Sequence, residues 1–226
     1  RLKFPSTARS QSEKKIYPRG KFIVAFVAAV FIWSIATGAF NPFFNVYFSQ
    51  RLHFTVEQIG TVFSFGQLAQ VIAILTVPLF LSKIGTVKGI SYAQVGTALM
   101  LTALAFGPAP AIAACTYVAY MAFQYMTEPC LFTLLMNRVS PTERSGASAL
   151  NFLATSMGGA LAAIVSGTLV TWLGYSFVLS AAAVLAIVAA ILMFATRALY
   201  NAGNPSPRSQ SLAKTIPAES SSHAGS

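Results

Sequence analysis

From Phe22 to Gln50 the chain carries no charged side chain, a run longer than the ~20 residues that cross a bilayer as a helix. Few constraints on a fold are stronger, and the composition extends it to the whole chain. Of 226 residues, 55% are hydrophobic and 9% charged, against roughly a quarter charged in soluble domains. The sequence therefore reads as an all-α membrane protein. Its 15 Lys and Arg outnumber 5 Asp and Glu for a net charge of +10, but the basic residues stand at the ends of apolar runs, where topology determinants belong. That placement argues against nucleic acid as a partner. Cys115 and Cys130 lie inside apolar segments, with no spacing suited to a metal or a disulfide framework.

Punctuation divides the chain into six expected spans. The first is Phe22–Gln50 and the second Val56–Leu81. Lys83, Gly85 and Lys88 make a short loop before a third span from Gly89 to Phe106. Gly107-Pro108-Ala109-Pro110 gives a tight break before a fourth span ending near Met136, and a fifth (Pro141–Trp172) and a sixth (Tyr175–Leu199) follow. Residues 1–21, with seven basic groups from Arg1 to Lys21, read as a basic segment lying against an anionic inner leaflet. Residues 201–226 are Ser, Pro, Ala and Gly-rich and read as a disordered tail. Arg1 opens the sequence with no signal peptide after it, and the chain reads as a fragment of a longer protein. With six spans, every Lys and Arg except Arg51 falls on one side, which places both termini in the cytoplasm. Compact loops without a glycosylation acceptor are compatible with a bacterial inner membrane.

The chain also repeats itself. Asn41-Pro42 recurs as Glu128-Pro129 and Arg51-Leu52 as Arg138-Val139, each 87 residues later. Thr55 to Gln58 and Ser140 to Glu143 both read as capping boxes opening a helix. Ile84-Gly85 matches Leu173-Gly174. Residues 22–107 and 108–200 thus form two three-span units. An odd number of spans sends the second unit through the membrane in the opposite direction, so the architecture expected is six transmembrane helices as two inverted three-helix repeats.

Glu128 is the one acid or base between Gly89 and Asn137. A carboxylate in hydrocarbon costs a few kcal/mol or more, so one that is present usually serves a pathway. It lies ten residues from Arg138, as Asn41 lies ten from Arg51; at 1.5 Å per residue both are roughly 15 Å deep, near mid-membrane. Tyr117, Met121 and Gln124 share its helix face at spacings of three and four, a stripe suited to a cavity wall. Ser34, Thr37, Asn41 and Asn45 likewise share a face of the first span. Asn41 and Asn45 either bind solute or hydrogen-bond neighbouring helices. Gln67 is an inner polar position of the second span, and Asn151 and Thr155 are weaker cavity candidates. Gly159, Ala163 and Gly167, at four-residue intervals, let a neighbouring helix approach closely, while Pro42 and Pro129 loosen their helices beside Asn41 and Glu128.

These features resemble the C-terminal six-helix half of a major facilitator superfamily transporter. The resemblance rests on Phe40-Asn41-Pro42-Phe43-Phe44-Asn45-Val46-Tyr47, on the loop around Lys83, Gly85 and Lys88, and on Arg138 through Gly146. The family's loop pattern G-x-x-x-D-R-x-G-R-K is degenerate here, with Pro78 for its first Gly and Ser82 for its Asp. The resemblance implies that the first and fourth spans line a central cavity and that an N-terminal six-helix half completes the carrier. The function expected is secondary active transport of a small solute by alternating access, coupled to protons, with the lipid bilayer, the missing half and the solute as partners and no cofactor. The alternative is an inactive or scaffolding six-span remnant. A rhomboid-like protease fails on inventory, because its Ser-His pair needs a histidine inside a span and the two here, His53 and His223, lie outside.

Overall fold

The computed structural model describes residue 18 and residues 20–202; the basic segment before residue 18 and the tail from 203 to 226 lie outside the described residues. Those described are mostly helical, without a strand, in the order α1 (Lys21–Gly38), α2 (Phe44–Val46), α3 (Val56–Ile84), α4 (Thr86–Ala105), α5 (Pro110–Met136) and α6 (Arg144–Ala202). Three stretches, Lys21–Arg51, Val56–Ile84 and Arg144–Leu199, are long and apolar enough to cross a membrane. With 20 and 27 residues, α4 and α5 reach about 30 and 40 Å at 1.5 Å per residue. They are less apolar because they carry polar side chains into the protein: Gln94 and Thr97 on α4, Gln124 and Thr127 on α5, all buried.

The first expected span is not one helix. α1 stops at Gly38, the chain passes through Phe40 at φ −124° and ψ −22°, and Asn41–Phe43 form a single 3-10 turn. Pro42 is the cause: it has no N–H to return to the carbonyl four residues back, and its ring crowds that carbonyl. The Phe43 N–H turns to the Phe40 carbonyl at 2.8 Å instead. α2 then runs into a π turn over Tyr47–Arg51. Hydroxyl hydrogen bonds tie this broken segment to its neighbours, with Tyr47 donating from within it to the Leu104 carbonyl at 3.0 Å and Tyr175 donating from α6 to Gln50 Oε1 at 2.8 Å.

Local sequence signals set most other boundaries. The Thr55 hydroxyl accepts from the Gln58 N–H at 3.3 Å while the Gln58 side chain accepts from the Thr55 N–H at 2.9 Å, the reciprocal cap that opens α3. Ser140 and Glu143 behave differently. The Ser140 hydroxyl donates straight to the Glu143 carboxylate at 2.8 Å, so this pair does not form the expected box, and α6 begins at Arg144 rather than Pro141. Gly107, at φ 64°, turns the chain into α5, whose first turn accepts Pro110 because an N–H there has no helical partner.

Two glycines make matching breaks. Gly85 separates α3 from α4 at φ 86° and ψ 150°, and Gly174 interrupts α6 at φ 80° and ψ 170°, a region of backbone space that side-chain-bearing residues avoid. Gly174 divides α6 into two arms, residues 144–173 and 175–202.

α1 lies along α6, α4 packs on α6 and α5, and α3 packs on α5. One core, around Phe26, Trp33, Leu134 and Met193, joins α1, α5 and α6. Arg138 closes its end, its guanidinium 5.1 Å from the Phe22 ring centroid and donating to the Leu199 carbonyl at 2.9 Å. The other core is aromatic, with Phe40, Phe44, Phe48, Tyr117 and Tyr120 in stacked and edge-on contact. Where α1 meets α6 there is no room for side chains: a Cβ on Gly38 would sit 2.6 Å from the Gly159 Cα, and one on Gly158 would sit 2.9 Å from the Phe31 carbonyl oxygen. Backbone contact of this kind is what holds helices together in lipid, where apolar side chains gain little by leaving the hydrocarbon.

Candidate functional site

A cavity of 470 Å³ opens between α1, α5 and the first arm of α6, with Ile74 of α3 at its edge. α1 contributes Trp33, Ser34 and Thr37, one turn apart; α5 contributes Glu128 and Phe132, and α6 contributes Asn151 and Thr155, each pair at i and i+4. Its size is that of a small-molecule site, and the balance of apolar walls with a few polar groups is typical of one.

Glu128 is solvent-exposed into this cavity. Among the described residues it makes no hydrogen bond and no ion pair. The hydroxyls around it are occupied as donors. Ser34 donates to the Val30 carbonyl at 2.9 Å, Thr37 to the Trp33 carbonyl at 3.2 Å and Thr155 to the Asn151 carbonyl at 2.9 Å. Asn151 Oδ1 is buried and has no partner among the described residues.

The stripe read along the fourth span is split. Tyr117, Met121 and Gln124 are buried and do not line the cavity with Glu128. α3 lies over them: a Cβ on Gly66 would come within 3.0 Å of the Tyr117 ring and 3.3 Å of Met121. The other stripe divides as well. Ser34 and Thr37 reach the cavity, whereas Asn41 and Asn45 lie beyond the break at Phe40, which resets the helical phase. Asn41 Oδ1 accepts the Tyr120 hydroxyl at 2.6 Å, and Asn45 and Gln67 are exposed elsewhere.

Of the packing residues, Gly159 meets Gly38, Gly167 leaves 3.5 Å for the Phe43 ring, and Ala163 is half-buried. Pro129 lines the cavity beside Glu128, and Pro42 sits in the break. In the loop, Lys83 is exposed and Lys88 half-buried on either side of Gly85. Sequence reasoning passed over Trp33, Phe132 and Phe152 as cavity walls and Gly38 and Gly158 as crossing points. The spacing of Gly38 to Phe31 and Ser34 on one face was the available signal for the crossing.

The arrangement is an amphipathic cavity between helices with one acid, Glu128 of α5, and it can hold a small solute. The family model of the Major Facilitator Superfamily matches residues 23–222. The chain belongs to the major facilitator superfamily. No curated protein and no solved structure matches it. Superfamily members are membrane transporters, so the apolar helices are those of an integral membrane protein.

Proposed function

We propose that this superfamily member performs secondary active transport of a small solute by alternating access, coupled to protons at Glu128, and that the chain supplies one six-helix half of the carrier. The observation that carries this reading is Glu128 itself, the lone acid of its apolar stretch, opening without a protein partner into the cavity. A carboxylate there can take up and release a proton as water reaches it from either side, and an intramembrane acid without such work would be a cost.

The half-carrier reading is supported by the uncovered faces. Thr61, Ser64 and Gln67 are exposed along α3, and lipid offers Gln67 no hydrogen-bond partner; an N-terminal six-helix half fits against them. The like backbone angles of Gly85 and Gly174 support two inverted three-helix repeats, residues 22–107 and 108–200, with the fourth span broken less than the first because Pro129 stays inside α5. The basic residues support cytoplasmic termini, and the compact loops without a glycosylation acceptor are compatible with a bacterial inner membrane.

The test is made in proteoliposomes with an imposed pH gradient and an internal pH dye, screening solutes with the chain alone and with its other half. Solute-dependent proton movement is expected in the wild type and not in Glu128→Gln of equal folded yield. Gradient-driven transport that survives Glu128→Gln overturns the coupling assignment. No flux in either format favours the scaffolding remnant.

A further inference from the structure

The cavity's hydrogen-bonding inventory points to the charge of its solute. Four side chains around it present lone pairs. The Glu128 carboxylate is unpartnered among the described residues, and Ser34, Thr37 and Thr155 have already given their protons to their own helices. Their oxygens can only accept. The nitrogen donors on the lining side chains are the Trp33 indole and the Asn151 amide, and no Lys, Arg or His lines the space. The remaining wall is apolar and aromatic, with Trp33, Phe132 and Phe152.

We propose that the solute is a protonated amine with an apolar body, its ammonium group held by Glu128 and its hydrocarbon against the aromatic wall. This deepens the transport reading and rests on it for the identity of the site. An ammonium brings three donors to a site rich in acceptors, supplies the counter-charge Glu128 lacks, and is attracted by aromatic faces. An anionic solute would face the carboxylate with no Lys, Arg or His on the wall to neutralise it. A neutral alcohol would leave Glu128 uncompensated. The net charge of +10 favours anions over the protein as a whole, so a preference for cations has to arise locally.

Three solutes of one shape test the assignment: phenethylammonium, 2-phenylethanol and 3-phenylpropanoate. Binding is measured at equilibrium with radiolabelled phenethylammonium on the purified protein in phosphatidylcholine nanodiscs, a surface without net charge. Saturable amine binding is expected, with the alcohol and the acid competing only at concentrations about tenfold higher or more, a difference of about 1.4 kcal/mol. Glu128→Gln should bring the amine down to the level of the alcohol, and Glu128→Asp should keep the preference. Competition by the acid or alcohol equal to the amine, an absence of saturable amine binding, or a preference that outlasts Glu128→Gln overturns the proposal. Failure here is separable from failure of the transport reading. Proton-coupled carriage of an anionic or neutral solute through Glu128 removes the amine assignment alone, whereas an amine that is bound and never moved removes transport alone.

Discussion

The Tyr120 hydroxyl donates to Asn41 Oδ1 at 2.6 Å, tying the middle of α5 to the one place where the first helix of the chain is broken. Asn41 could have been a solute ligand on sequence grounds. Its acceptor is already occupied, and it stands outside the Glu128 cavity. Asn41→Leu and Tyr120→Phe should therefore each lower stability by about 1 kcal/mol, the usual worth of one interhelical hydrogen bond in a membrane protein, and leave solute affinity within twofold. Thermal unfolding in nanodiscs with a parallel binding isotherm checks this. A large loss of affinity with an unchanged unfolding midpoint would return Asn41 to the solute pathway.

The crossing of α1 and α6 makes an asymmetric prediction. A Cβ at Gly38 would lie 2.6 Å from the Gly159 Cα, while one at Gly159 would meet nothing within 4 Å. Gly38→Ala has to push the two helices apart, an overpacking that typically costs about 1–3 kcal/mol. Gly159→Ala should be neutral or slightly stabilising, since Ala is the better helix former. Equal effects at the two positions would mean that the helices do not cross as described.

Gly85 and Gly174 should respond alike. Each holds a backbone conformation close to φ 80° to 86° with ψ of 150° to 170°, and forcing Ala into it costs about 1–3 kcal/mol. Gly85→Ala and Gly174→Ala should each destabilise by that order, and Gly20, at φ 145° before α1, gives an internal comparison outside the paired breaks. If one of the two were indifferent to substitution, the equivalence of the two breaks, and the repeat argued from it, would lose its support.

What the sequence disclosed follows the reach of each interaction. The Thr55–Gln58 cap and the Gly107-Pro108-Ala109-Pro110 break were legible because their causes lie within four residues of their effects. Glu128 stood out as a lone acid in a long uncharged stretch, costly to keep in hydrocarbon, and the structure places it on a cavity wall. Ser140 to Glu143 shows the same pattern as the first cap, yet its hydroxyl met the carboxylate directly, a choice of partner that spacing does not decide. The rest required knowing which helices touch. Trp33, Glu128 and Asn151 belong to three different helices, and Tyr117 and Met121 left the cavity because α3 happens to lie over them at Gly66. In the sequence, Pro42 marks only the loosening of a continuous helix. Its larger consequence, the change of phase that separates Ser34 and Thr37 from Asn41 and Asn45, emerges only when the broken backbone is traced.

Gln94 offers the test least connected to solute. It is fully buried on α4, and both its amide nitrogen and its amide oxygen lack a hydrogen-bond partner among the described residues. An amide left unsatisfied away from water costs about 1–3 kcal/mol, and replacing it with an apolar group of similar shape removes that cost. Methionine matches glutamine in length and flexibility, and it adapts to irregular packing. Gln94→Met should therefore raise the unfolding temperature without changing solute binding, because Gln94 does not line the Glu128 cavity. Gln94→Ala, which also removes the amide but leaves a void, should lose part of that gain to the cavity it creates. A fall in stability with methionine would mean that the amide is satisfied by an internal water, and the α4 interior would then have to be counted as a hydrated polar pocket rather than a dry one.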